Sequence, residues 1–127
     1  MASTRRPTPA ELEILRVLWE RGPSTVREVQ ECLDRDKPTG YTTVLKLLQI
    51  MTEKGLTKRE EAARAHVYEA RIPQGQTQRL LVRDLLDRAF GGSASQLVMQ
   101  ALSARRSSPE ELAEIRRMLD EMEGGEG

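Results

Sequence analysis

Three copies of one helix-start signal divide this chain, and they constrain its fold more than any other feature. Each copy is a hydroxyl residue followed three positions later by glutamate, the spacing of a capping box. The pairs are Thr8 with Glu11, Thr25 with Glu28, and Ser108 with Glu111. In the first and third copies proline follows the hydroxyl residue, at the first helical position. The sequence therefore predicts a helix-rich chain.

Apolar residues at helical spacing extend this prediction to six helices. The third runs from about Tyr41 to Lys54, where Gly55 is placed to end it. Between the third and fourth helices, residues 56–60 and 65–69 predict two short strands joined by a tight connection. The helical pattern returns after Pro73. The order is three helices, a hairpin and three more helices.

This order predicts a mainly α fold with a small β-hairpin. Residues 1–72 are predicted to form a winged helix-turn-helix DNA-binding domain, with the third helix as reader and the hairpin as wing. Residues 73–127 are predicted to form a helical dimerisation domain. Its roughly 50 residues carry narrow apolar stripes that bury too little surface alone, which favours packing against a second copy. The predicted dimer contacts are Leu81, Leu85, Phe90, Leu97, Leu102, Leu112, Ile115 and Leu119.

Composition limits the class of protein. The chain has one cysteine and one histidine, which excludes an intrachain disulfide and a multi-histidine metal site. His66 is interpreted as a structural or incidental residue on a strand. No apolar run approaches the roughly 18 residues of a membrane helix, and no signal peptide opens the chain. We expect a cytoplasmic protein with no cofactor, no metal and no membrane partner.

The charge balance at first argues against a nucleic-acid binder, since 20 basic and 20 acidic residues cancel. The two halves differ, however. Residues 1–72 hold 13 basic and 11 acidic residues, whereas residues 73–127 hold 7 and 9. Within residues 37–71 the count is 7 basic and 4 acidic. The net charge of zero is the sum of a mildly basic part and a mildly acidic part. It therefore does not argue against a nucleic-acid binder.

Motifs for catalysis are missing from the sequence. It has no glycine-rich phosphate loop, no nucleophile elbow and no His-Glu metal helix. Glu60-Glu61 and Glu110-Glu111 are adjacent, and adjacent side chains point in different directions on a helix or strand, so neither pair naturally shares a proton. We therefore expect a protein that is not an enzyme.

The outer face of the third helix carries side chains that suit a DNA groove. Hydroxyls contact phosphates, lysine meets a phosphate or a guanine edge, and glutamine pairs with an adenine edge. An ordinary solvated helix face is the alternative interpretation. On the wing, basic side chains suit contacts with the DNA backbone, with scattered surface charge as the alternative. The candidate DNA-binding residues are Thr42, Thr43, Lys46, Gln49, Lys58, Arg59 and Arg64.

Several segments along the chain form a recognisable series: Glu11–Leu15 with Leu18-Trp19-Glu20, Thr25–Val29, Tyr41–Leu45 with Glu53–Leu56, Arg64–Tyr68, Phe90–Ser93 with Leu97-Val98, and Pro109–Leu112. In this order they resemble the BlaI/MecI/CopY penicillinase-repressor family. The match covers about Pro7 to Glu123.

The resemblance implies a homodimeric repressor that binds a palindromic operator, double-stranded DNA, through two winged helices. It also implies, for the β-lactam-responsive branch, a sensor protease that triggers cleavage within the dimerisation helices. The corresponding position here is Gln100-Ala101, which differs from the asparagine–aromatic junction of cleaved members. The cysteine cluster of the copper-responsive branch is absent, because Cys32 is the only thiol.

Two hypotheses follow. The first is a transcriptional repressor that occupies an operator, relieved by proteolysis or by another signal. The second is a winged-helix protein-interaction module without sequence-specific DNA binding.

Overall fold

The computed structural model describes residues 6–61 and 65–125. Six helices and three short strands lie in these ranges, and every predicted helix is present. In chain order they are α1 (Pro9–Arg21), β1 (Ser24–Thr25), α2 (Val26–Asp34), α3 (Tyr41–Lys54), β2 (Thr57–Glu60), β3 (Val67–Ala70), α4 (Gln74–Phe90), α5 (Ala94–Ala104) and α6 (Pro109–Gly124). The mainly α fold class with a small β component is confirmed.

The helix-start signals act as the sequence predicts. At α1, Thr8 Oγ1 accepts a hydrogen bond from the Glu11 amide (3.2 Å), and the Glu11 carboxylate accepts one from the Thr8 amide (2.9 Å). Thr25 and Glu28 make the same reciprocal pair at α2, with the same two distances. At α6, Ser108 Oγ accepts from the Glu111 amide (3.0 Å). These bonds give partners to amides that no helical carbonyl reaches.

The predicted hairpin is confirmed as β2 and β3, but the sheet has a third strand that the sequence analysis missed. The strand order is β1-β3-β2, all antiparallel, with Ser24 paired to Tyr68 and Arg59 paired to Tyr68 on the other side. A strand of two residues has no alternating pattern to recognise. His66, expected on a strand, precedes β3 and is exposed.

One apolar core joins the first three helices to this sheet. Its fully or nearly fully buried members are Ile14, Leu15, Leu18, Val26, Val29, Val44, Leu48, Met51, Leu56 and Tyr68. Trp19 packs against this core, and its indole Nε1 donates a hydrogen bond to the Ile72 carbonyl (3.0 Å). The bond fixes the chain just after β3.

The chain forms two compact units, one up to Leu80 and one from Leu81, with the boundary inside α4. No side chain from Leu81 to Gly125 is buried. Large apolar side chains are exposed on all three helices of this second unit: Val82, Leu85, Val98, Met99, Leu102, Met118, Leu119 and Met122. No helix within residues 6–61 and 65–125 has the length and apolar character needed to cross a membrane.

Candidate nucleic-acid interface

The turn before α3 is held by side chains of α2. The Asp34 carboxylate accepts a hydrogen bond from the Thr39 amide (2.8 Å), and Gln30 Nε2 donates to the Thr39 carbonyl (3.0 Å). α3 then begins after Gly40, with no side chain capping its first amides. The start of α3 is therefore fixed in place while its positive end keeps unused donors.

α3 buries one stripe and presents the opposite face to solvent. Val44, Leu48 and Met51 are buried in the core. All four candidate DNA-binding residues of α3 are exposed: Thr42, Thr43, Lys46 and Gln49. Lys46 makes no ion pair with any described residue. The face thus presents hydroxyls, an amide and a lysine that has no ion-pair partner among residues 6–61 and 65–125, with the exposed Glu53 at its far end. Hydroxyl, amide and ammonium groups contact phosphates and base edges.

Lys58 and Arg59 of the wing are exposed, but both already have acidic partners. Lys58 Nζ lies 3.7 Å from a Glu69 carboxylate oxygen, and Arg59 Nη2 lies 2.9 Å from one of Glu61. Arg64, the third predicted wing residue, lies outside the described residues. The charge available on this part of the wing is therefore smaller than the sequence alone indicates.

A cavity of about 440 Å³ lies between the start of α2, the start of α3 and the start of β3. Arg27, Tyr41 and His66 line it, and none of them was among the sequence candidates. The Arg27 guanidinium carbon lies 5.9 Å from the centre of the Tyr41 ring, within the range of a cation–π contact. Arg27 stands two positions after the Thr25 cap and off the apolar spacing of Val26, Val29 and Leu33, so the sequence marks it as a solvent-facing cation near a helix start.

The far end of α3 is tied to α1 by a buried ion pair. Lys54 Nζ lies 2.7 Å from Glu11 Oε1, and the Glu11 side chain is almost entirely buried. Burial alone would raise the pKa of Glu11. The Lys54 ammonium and the Thr8 amide and hydroxyl outweigh it, so the pKa lies below its usual value.

A second carboxylate links α1 to α2. Glu28 accepts from the Thr25 amide and pairs with Arg21 (3.0 Å), and Arg21 also donates to Ser24 Oγ (3.0 Å). The Thr25 amide is the main cause that holds the pKa of Glu28 below its usual value, with the Arg21 charge adding to it. Both carboxylates stabilise the scaffold rather than line the outer face of α3. In residues 6–61 and 65–125, no group of three or more His, Cys, Asp or Glu side chains is placed to hold a metal ion.

Three helices with a three-stranded sheet, and a polar α3 face beside the hairpin, define a winged helix-turn-helix protein of the DNA-binding class. The family model described as penicillinase repressor matches residues 7–121. The chain belongs to this family of transcriptional repressors, which are regulators and not enzymes.

Individual relatives agree with this assignment. The chain is 31% identical to the transcriptional regulator BlaI of Mycobacterium tuberculosis, and the alignment covers all of this chain and 92% of that protein. It is 25% identical to the penicillinase repressor of Bacillus licheniformis, over 88% of each chain.

Solved structures support the fold. The DNA-binding domain of the repressor BlaI matches with a TM-score of 0.51 and 24% identity, covering 56% of this chain and 87% of that domain. The complex structure of hsRosR-S4 matches with a TM-score of 0.55 and 16% identity, covering 99% of this chain and 97% of that one.

Proposed function

We propose that this chain is a homodimeric repressor that occupies a palindromic operator through α3 and the wing of each copy. The observation that carries the proposal is the outer face of α3. It is polar, carries a lysine without an ion-pair partner in the described part of the chain, and lies opposite a stripe buried in the core. A rigid helix with this face fits the major groove, whose width admits one α-helix.

Each part of the face has a defined role in this proposal. Thr42 and Thr43, with the first amides of α3, bind phosphates at the groove edge. Lys46 binds a guanine edge or a phosphate, and Gln49 pairs with adenine. On the wing, Lys58, Arg59 and Arg64 bind the backbone beside the groove.

Residues 73–127 hold the two copies together in this proposal, and residues 1–72 bind DNA. From Leu81 to Gly125 the second unit has no buried side chain, yet it exposes apolar residues on three helices. A second copy would cover them and supply the missing core. The proposed contacts include Leu85, Leu102 and Leu119, which are exposed, and Leu81, Phe90, Leu97, Leu112 and Ile115, which are partly buried.

Repression is relieved in this proposal by a sensor protease or by another signal. Gln100 and Ala101 are exposed, but both lie inside α5. A protease needs an extended substrate, so cleavage there requires α5 to open locally. To test this position, the full chain is co-expressed with a sensor protease and the masses of the products are measured. The masses show whether the chain is cleaved between Gln100 and Ala101.

The Lys46→Ala variant tests the reading face. Genomic fragments retained by the full-length protein would first be selected to supply the probe. On this DNA we expect Lys46→Ala to weaken binding by about tenfold, since it removes a phosphate or base contact. Arg16→Ala removes a cation from the exposed side of α1 and serves as the matched control, with no expected change. Unchanged affinity for Lys46→Ala and Thr42→Ala together would contradict the proposed reading face.

The alternative is a protein-interaction module, and the exposed Ile50 beside the polar face of α3 is the observation that favours it. One measurement, the retardation of duplex DNA at low salt, distinguishes the two functions. A repressor retards duplex DNA at low salt, because backbone contacts operate on any sequence. If no DNA is retarded even at low salt, the interaction module is the better description.

A further inference from the structure

The cavity between α2, α3 and β3 has the charge of an anion site. Arg27 and His66 lie on its walls, and no aspartate or glutamate is among the described residues that line it. Arg27 also makes no ion pair with any described residue. This distinguishes it from Lys58 and Arg59, whose positive charges face Glu69 and Glu61.

Two tyrosines add hydrogen-bond donors to this cation. Tyr41 is 46% exposed, and its ring lies 5.9 Å from the Arg27 guanidinium carbon, which restricts where the guanidinium sits. Tyr68, which also lines the cavity, is only 1% exposed, and its hydroxyl has no hydrogen-bond partner in the described part of the chain. A buried hydroxyl without a partner is costly, so an acceptor that reaches it is bound favourably.

The position of the cavity indicates which anion it meets. Tyr41 is the first residue of α3, directly before Thr42 on the proposed reading face, and His66 stands directly before β3 of the wing. If α3 fills the major groove as proposed above, a DNA strand that continues from α3 toward the wing would pass this cavity. The first amides of α3, which no side chain caps, lie at the same edge.

We propose that this cavity binds a phosphodiester of the DNA backbone, held by Arg27, Tyr41 and His66. The inference rests on the proposed DNA-binding function and adds residues outside the α3 face and the β2 strand. Arg27 supplies the charge, and Tyr41 and His66 supply donors. Tyr68 offers a further donor, directly or through a water.

The salt dependence of binding tests the site. The probe is a fluorescent 30-base-pair duplex of mixed sequence, because phosphate contacts do not require the operator. For the full-length protein, Arg27→Gln should reduce the slope of log affinity against log salt by about 0.9, the loss of one phosphate contact. Arg27→Lys keeps the charge and should keep the slope. Tyr41→Phe should weaken binding about fivefold with an unchanged slope, as loss of one hydrogen bond does.

Arg16→Gln, on the exposed side of α1, is the matched charge control and should leave the slope unchanged. The proposal is overturned if Arg27→Gln keeps the full slope, if Arg27→Lys loses as much slope as Arg27→Gln, or if Arg16→Gln lowers the slope equally. Each of these results requires wild-type protein that binds the duplex. Failure of the wild type to bind at low salt would instead refute the proposed function itself.

Discussion

At the scale of single residues, the ion pair between Glu11 and Lys54 shows how a buried carboxylate is stabilised in this fold. Glu11 is 2% exposed, yet it accepts hydrogen bonds from Lys54 and from the Thr8 amide. A buried carboxylate is tolerated when its charge is paired and its oxygens are bonded. One side chain thereby completes the cap of α1 and ties α1 to the last turn of α3.

Removal of Lys54 should destabilise the fold, because the buried Glu11 carboxylate then lacks its counter-charge. At pH 7 we expect Lys54→Met to lower the free energy of unfolding by about 2 kcal/mol, because it leaves a buried carboxylate without its counter-charge. Lys58→Met is the control. Its pair with Glu69 is longer and more exposed, so we expect a change within about 0.5 kcal/mol.

The same pair should make stability depend on pH in a defined direction. The pKa of Glu11 is lowered in the folded chain, so its contribution is present above the usual value of 4.5 and is lost as the pH falls through the lower folded pKa. The difference between wild type and Lys54→Met should therefore shrink in acid. Chemical unfolding at pH 7 and pH 3 measures it, and an equal difference at both pH values would contradict the assignment.

At the scale of elements, α3 is the best-delimited part of the proposed DNA interface. Its end at Gly55 has φ +84° and ψ 11°, the left-handed conformation that non-glycine residues avoid. This turn sends the chain from α3 into the wing. The position of the wing relative to α3 therefore depends on the backbone conformation of Gly55.

Gly55→Ala tests this turn. A Cβ at Gly55 would meet nothing within 4 Å, so the cost comes from the backbone alone, and we expect a loss of about 1 kcal/mol. Gly75→Ala is the matched control. Gly75 lies in α4 outside the left-handed region, and its Cβ would make an ordinary contact 3.7 Å from Arg79. There we expect a gain of about 0.5 kcal/mol. Thermal unfolding at fixed protein concentration measures both, and equal shifts would contradict the argument.

At the scale of the whole molecule, the two units differ in whether they contain a buried apolar core. The unit up to Leu80 contains the apolar core, whereas residues 81–125 of the other unit bury no side chain and expose Leu119 and Met122 on α6. A second copy would give this unit the core that it does not contain by itself. The dimer is thus proposed from what a single chain leaves uncovered.

Leu119→Asp should weaken the proposed dimer. An uncompensated charge in a buried interface costs about 3 kcal/mol, so we expect the dimer dissociation constant to rise about a hundredfold. Ala113→Asp introduces the same charge at an exposed position on the opposite side of α6 and should change little. Sedimentation equilibrium measures both. A wild-type protein that sediments as a monomer at all concentrations would rule out the dimer.

Much of the fold follows from local signals in the sequence. The caps at Thr8, Thr25 and Ser108, the apolar spacing along α3 and the turn at Gly55 act between residues a few positions apart, so each can be recognised without knowing the fold. The same spacing identified which residues of α3 face outward. The sequence by itself thus determined the helices, the hairpin and the candidate reading face.

The tertiary structure decided which of these groups are free to act. It paired Lys58 and Arg59 with acids, left Lys46 and Arg27 without an acidic partner in the described chain, and added β1 to the sheet. It also brought Arg27 of α2, Tyr41 of α3 and His66, which precedes β3, around one cavity. Apart from the pair of Arg59 with Glu61, these arrangements join residues well separated along the chain. No local pattern encodes them, because they arise only when the core has packed.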